Sequence, residues 1–123
     1  MEVIVSKVKF YQYSKCSTCV KAKKFLESNN IDYKDIGIVD TPPTKADLAK
    51  MLKAYDGEIK KLFNTSGVVY RELKMKDMMP TITKEKAFEL LSKNGKLVKR
   101  PFMISDQASI VGFKEDEWEK AFN

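Results

Sequence analysis

Residues 8–31 pass from a β-rich run into a helical pattern at a Cys-x-x-Cys, and that junction restricts the folds open to this chain more than any other stretch. Val8–Gln12 reads as a paired strand. After Cys16, the residues Cys19, Ala22, Phe25 and Leu26 fall on one helical face, while Lys21, Lys24 and Glu27 can stay in water. Cys16 therefore stands at the helix's N-terminal edge, where unpaired N–H groups and partial positive charge favour a thiolate over a thiol. Lys15 and Lys21 add positive charge nearby, and cysteines in such settings have pKa values of about 3.5–7.5. Cys19, one turn further in, points towards the core at a spacing that suits a resolving thiol for an adduct on Cys16.

Three other readings compete: two buried structural cysteines, half of a zinc site, or a static disulfide. Zinc is weak because the chain has no histidine and only these two cysteines, so tetrahedral closure would need two carboxylates. No metal site is expected. Redox use is favoured, because a Cys-x-x-Cys at a strand-to-helix junction near a βαβ pattern signals thiol chemistry. The N-terminal Met-Glu-Val-Ile-Val-Ser-Lys lacks the features of a signal peptide, and no apolar run approaches a membrane span. The reducing cytoplasm is the expected location, where a cysteine pair is more often catalytic than architectural.

The chain's 123 residues suit one domain, residues 1–123, and 43% hydrophobic against 33% charged residues is globular composition. The formal charge of +6, from 23 basic and 17 acidic residues, is scattered along the chain with no aromatic-rich basic motif, which argues against direct nucleic-acid binding. A protein partner with an acidic surface fits that charge.

In chain order, residues 2–13 read as strand and Asn29-Asn30 stops the first helix. Residues 31–38 form a second strand, so the start is a right-handed parallel βαβ unit. Thr41-Pro42-Pro43-Thr44 breaks the chain, and Thr44 with Asp47 forms a capping pair ahead of Leu48, Met51, Leu52 and Tyr55. A short helix around Ile59, Leu62 and Phe63 ends at Asn64-Thr65-Ser66-Gly67, and another covers residues 68–73. Thr83 opens a helix with Ala87, Leu90 and Leu91 inward, closed by Asn94-Gly95 as a helix C-terminal stop. Phe102-Met103-Ile104 and Ser109-Ile110-Val111 flank Ser105-Asp106-Gln107-Ala108 as a β-hairpin. After Gly112, Glu115-Asp116-Glu117 start a helix that docks Trp118, Ala121 and Phe122 on the sheet. This order predicts an α/β, thioredoxin-like, four-stranded mixed sheet with a helical insertion.

Tyr13-Ser14-Lys15-Cys16-Ser17-Thr18-Cys19, Thr41-Pro42-Pro43-Thr44, Leu97-Val98-Lys99-Arg100-Pro101 and Val111-Gly112-Phe113 resemble, in order and spacing, the ArsC-like family of glutaredoxin-coupled arsenate reductases and Spx-type regulators. The resemblance implies that Cys16 is the nucleophile and that Arg100 binds an oxyanion or stabilises a thiolate. The alternative for Arg100 is an ordinary solvated arginine. It further implies a cis Arg100–Pro101 bond facing Cys16, with Lys15, Ser17, Asn64 and Pro101 at the substrate or anion site. Where the reductases carry further arginines, this chain has Asn64, with Lys60, Lys61 and Arg71 as displaced candidates, and Phe113-Lys114; weak or absent arsenate reduction is the expectation. Cys19 supplies the second thiol within the chain. The implied activity is a monomeric thiol–disulfide oxidoreductase with no bound cofactor, drawing electrons from glutathione, glutaredoxin or thioredoxin. The alternative is a redox-sensing regulator that binds RNA polymerase. The chain stops at Asn123, short of the C-terminal residues of Spx-type regulators, which tilts the expectation towards the enzyme.

Overall fold

Alternation along the first strand sets up two cores. The computed structural model describes residues 8–106 and 108–122; the strand expectation for residues 2–7 and the hairpin residue Gln107 lie outside the described residues. In β1 (Val8–Gln12), Val8 and Phe10 join Met103, Trp118 and the buried face of α1 (Ser17–Ser28) on one side of the sheet. Tyr11 joins Phe102, Ile104 and the insertion helices on the other. This is the period of two that a central strand imposes.

The sheet order is β2-β1-β3-β4. β2 (Tyr33–Gly37) runs parallel to β1, while β3 (Phe102–Ile104) is antiparallel to β1 and to β4 (Ser109–Val111). Between β2 and β3 lie α2 (Lys45–Ala54), a 3₁₀ turn at Ile59–Leu62, α3 (Val68–Glu72), α4 (Met75–Met78), α5 (Lys84–Lys93) and a second 3₁₀ turn at Gly95–Leu97. α6 (Glu115–Phe122) closes the order. The result is the expected α/β, thioredoxin-like four-stranded mixed sheet with a helical insertion, carrying six α-helices among the described residues. No helix among those residues is long and apolar enough to cross a membrane.

The local signals worked where the chain obeyed short-range chemistry. Asn30 stops α1 in the left-handed region, at φ 56°. Thr44 and Thr83 accept hydrogen bonds from the Asp47 and Lys86 backbone N–H groups (both 3.1 Å), capping α2 and α5. Trp118 is fully buried and meets Phe10, Phe25 and Phe113 edge-on, and its indole N–H donates to the Gly112 carbonyl (3.1 Å).

Three expectations need correction. The second strand starts at Tyr33 and not at Ile31, because the Ile31 N–H bonds the Leu26 carbonyl (2.9 Å) to close the turn after α1. Asp47 is not the second half of a capping box: its carboxylate accepts from the Tyr11 hydroxyl (2.8 Å) and from Lys9 (3.1 Å). The inward face of α5 is Ala87, Phe88 and Leu91, with Leu90 half-buried. The α5 helix closes at Asn94 as expected, and Gly95 follows it without a positive φ, which among the glycines belongs to Gly57 and Gly112. A Cβ on Gly95 would overlap the backbone of Ile38, so glycine is needed for close approach.

That approach helps to place the loop before β3. Phe63 and Val98 form an isolated antiparallel bridge, the Asn64 N–H bonds the Leu97 carbonyl (2.8 Å), and the Lys99 N–H bonds the Leu62 carbonyl (2.9 Å). Lys99 and Arg100 are thereby delivered to the end of β1 where the cysteines lie.

Candidate active site

Cys16 is the N-cap of α1, with extended backbone (φ −97°, ψ 115°), and its sulfur accepts the Cys19 backbone N–H at 3.4 Å. The cap forms because the Cys16 N–H is held by the Tyr13 carbonyl (3.0 Å) in a tight turn leaving β1. The sulfur takes the place usually held by a serine or aspartate oxygen. Cys16 is half-buried and Cys19 is buried; both are free thiols.

Burial is the largest single influence on Cys16, and it opposes the thiolate. The Cys19 thiol and backbone N–H, the Arg100 guanidinium and the Thr18 backbone together outweigh it, and the Cys16 pKa lies below the ordinary thiol value. For Cys19, burial pushes the pKa up, and the hydrogen bond to Cys16 and the charge of its thiolate add to that against the Tyr13 backbone and Arg100. The two shifts run in opposite directions and each sulfur is among the causes of the other's, so the two protonation states belong to the pair.

The cation that acts on the pair is Arg100, while Lys15 and Lys21 are exposed. Its guanidinium lies over the Tyr13 ring, 5.0 Å from the centroid, a contact that orients a planar cation. The Arg100–Pro101 bond is cis, as the resemblance implied. Pro101 is buried, and its carbonyl accepts the Gly112 N–H (2.8 Å), tying this loop to the end of β4.

Arg100 also lines a cleft of about 720 Å³ that runs from Thr18 in α1 across the 3₁₀ turn at Ile59–Leu62 to the segment after β4. The cleft gathers Lys60, Lys61 and Lys114, which the sequence offers where the resembling reductases carry arginines, and adds Lys99, with Glu58 and Glu117 also on its walls. Asn64 is not among the lining residues; Ser66 donates to its side-chain oxygen at 3.5 Å. Arg71 turns away to the Ser66 carbonyl (3.1 Å). Ser17 is the exposed first residue of α1. Sequence reasoning missed Tyr13 as the platform for Arg100; the only signal was an aromatic three residues before Cys16, which has no meaning until the loop before β3 is placed.

The model of the ArsC family matches residues 11–121. The chain belongs to the ArsC family. Within that family it is 41% identical over 111 residues to the uncharacterized protein YusI of Bacillus subtilis, covering 90% of this chain and 94% of that protein. It is 29% identical to the global transcriptional regulator Spx of Listeria innocua, covering 89% of this chain and 82% of the regulator. Among solved structures, an ArsC family related protein from Bacteroides fragilis superposes with a TM-score of 0.84 at 50% identity, over 94% of this chain and 98% of the other. A protein described as a possible arsenate reductase from Streptococcus mutans superposes with a TM-score of 0.82 at 35% identity, over 91% and 97%. The chain is thus similar both to a protein described as a possible arsenate reductase and to one described as a transcriptional regulator.

Proposed function

We propose that this ArsC-family protein is a thiol–disulfide oxidoreductase in which Cys16 attacks and Cys19 resolves. The observation that carries the reading is the capped Cys16 sulfur, which accepts from Cys19 while Arg100 supplies positive charge. In the first step the Cys16 thiolate attacks one sulfur of a substrate disulfide. The Cys16–substrate S–S bond forms, the substrate's own S–S bond breaks, and the other half leaves as a thiolate that takes a proton from solvent. Cys16 then carries no negative charge, so one of the causes that held the Cys19 proton disappears. Cys19 deprotonates and attacks the Cys16 sulfur, releasing the second substrate thiol and leaving a Cys16–Cys19 disulfide. The substrate has gained two electrons. A dithiol such as reduced glutaredoxin or thioredoxin, or two glutathione molecules, returns the pair to its free form.

The test is a Cys19→Ser variant incubated with a disulfide substrate and examined by mass spectrometry. The variant accumulates a stable adduct on Cys16, while the wild type passes to a form lighter by two hydrogens. A wild type that keeps the adduct with Cys19 still free overturns the resolving role.

The similarity to Spx favours a second reading, a redox-sensing regulator in which the same disulfide controls binding to RNA polymerase. Stable recovery of polymerase subunits on the reduced protein from lysate, lost on oxidation, supports it; recovery indifferent to redox state counts against it.

A further inference from the structure

Lys60, Lys61, Lys99, Arg100 and Lys114 come from three separated parts of the chain and meet in one cleft. None of them takes part in an ion pair among the described residues, where Lys9, Lys23 and Lys86 are the paired cations. Only Glu58 and Glu117 offset them on the cleft wall. Like charges held together without partners repel one another, and a concave, low-dielectric wall focuses their field on whatever enters. The fold thus keeps a cleft with an excess of positive charge, joined to the surroundings of Cys16 through Arg100. Its volume of about 720 Å³ is far more than one small oxyanion fills, and it lies in the range of clefts that take ligands of drug size, about 300–1,000 Å³, room for a few side chains of a bound segment.

The wall also states how such a ligand is held. Val111 and Gly112 border the cleft at the end of β4, but the Val111 N–H is donated to the Tyr55 hydroxyl (3.1 Å) and the Gly112 N–H to the Pro101 carbonyl (2.8 Å). Both main-chain N–H donors at this end of the strand are already taken, so the donors left for the carboxylates of a bound segment are the cationic side chains. The half-buried Phe113 adds apolar surface to the wall.

Resting on the reading of Cys16 as an attacking thiol, we propose that the substrates are proteins whose oxidised cysteine lies in an acidic segment, with carboxylates seated on Lys60, Lys61, Lys99 and Lys114. Arg100 belongs both to the cleft and to the surroundings of Cys16, so a segment lying on the lysines brings its sulfur towards the thiolate.

The experiment uses short peptides with one cysteine carried as a mixed disulfide with 2-thiopyridine, flanked by acidic, neutral or basic residues. The Cys16 thiolate attacks the peptide sulfur, the S–S bond breaks, and the released pyridine thiolate is protonated and read by its absorbance. Binding is followed separately by fluorescence anisotropy of a labelled acidic peptide without cysteine. The acidic peptide should react at least about tenfold faster than the neutral one at low salt. That ratio should fall towards one at high salt, where screening lengths shrink to about 3 Å, and in the Lys60→Glu, Lys61→Glu, Lys114→Glu triple variant. Equal rates for all peptides, or equal preference for glutathione carrying the same leaving group, would overturn the protein-substrate assignment while leaving the thiol reading intact. Salt-sensitive binding of the acidic peptide with no release from any disulfide would retain the cleft and remove the thiol chemistry.

Discussion

Replacing Tyr11 with phenylalanine tests the polar clamp that fixes α2 on the face of the sheet opposite α1. Asp47 is 6% exposed, and its carboxylate accepts the Tyr11 hydroxyl at 2.8 Å and the Lys9 ammonium at 3.1 and 3.3 Å. The two partners differ in burial. Tyr11 is 3% exposed, whereas the Lys9 side chain is 45% exposed and its ion pair is screened by solvent. A hydrogen bond to a charged group stabilises by about 1.5–3 kcal/mol, and an exposed pair by about 0.2–1 kcal/mol. Tyr11→Phe should therefore cost about 1.5–3 kcal/mol, since the ring still packs on Phe102 while the carboxylate loses its buried donor. Lys9→Met should cost less than about 1 kcal/mol. Urea denaturation measures both, with the slope held constant as the control. The pH dependence is a second readout. Burial first, and then the bond and charge of Asp47, raise the Tyr11 pKa above its ordinary value. The neutral hydroxyl's contribution is thus full below about pH 10 and is lost as pH rises above it. The wild type should lose more stability than Tyr11→Phe in that alkaline window. A Tyr11→Phe cost below that of Lys9→Met, or an identical alkaline slope in both proteins, would refute the reasoning.

Arg100→Gln should move the pH midpoint of Cys16 alkylation upward, because the guanidinium is one of the groups that favour the thiolate; an unmoved midpoint would detach Arg100 from the site. Tyr13→Leu should move it in the same direction by less, since the cation keeps its charge and loses only its platform. Gly95→Ala should destabilise the protein by about 1–3 kcal/mol through overlap with the Ile38 backbone, read as an earlier urea midpoint; a neutral effect would show that the turn relaxes freely.

What could be read from the sequence is what neighbouring residues decide among themselves. The alternation in Val8–Gln12, the threonine caps at Thr44 and Thr83, the Asn30 stop and the turn into Cys16 are local chemistry, and each is found where expected. Long-range contacts overrode the rest. Asp47 looks like half of a capping box until Tyr11, 36 residues away, takes its carboxylate. The role of Gly95 depends on the carbonyl of Ile38 in another part of the chain. Met75–Met78 forms a helix of four residues entered from a left-handed Lys74, too short to show a period. The cationic cleft could not be seen from spacing, because its members are separated by nearly 40 residues between Lys61 and Lys99 and are brought together by the pairing of residues 62–64 with residues 97–99.

The alkylation rate of Cys16 as a function of pH in the otherwise unaltered protein, followed by peptide mapping so that Cys19 is scored separately, tests the central claim most directly. Cys16 should react with a midpoint below the ordinary thiol value of about 8.5, while Cys19 stays unmodified across the same range. A Cys16 midpoint at or above that value, or equal labelling of both cysteines, would contradict the division of the pair into attacking thiolate and resolving thiol.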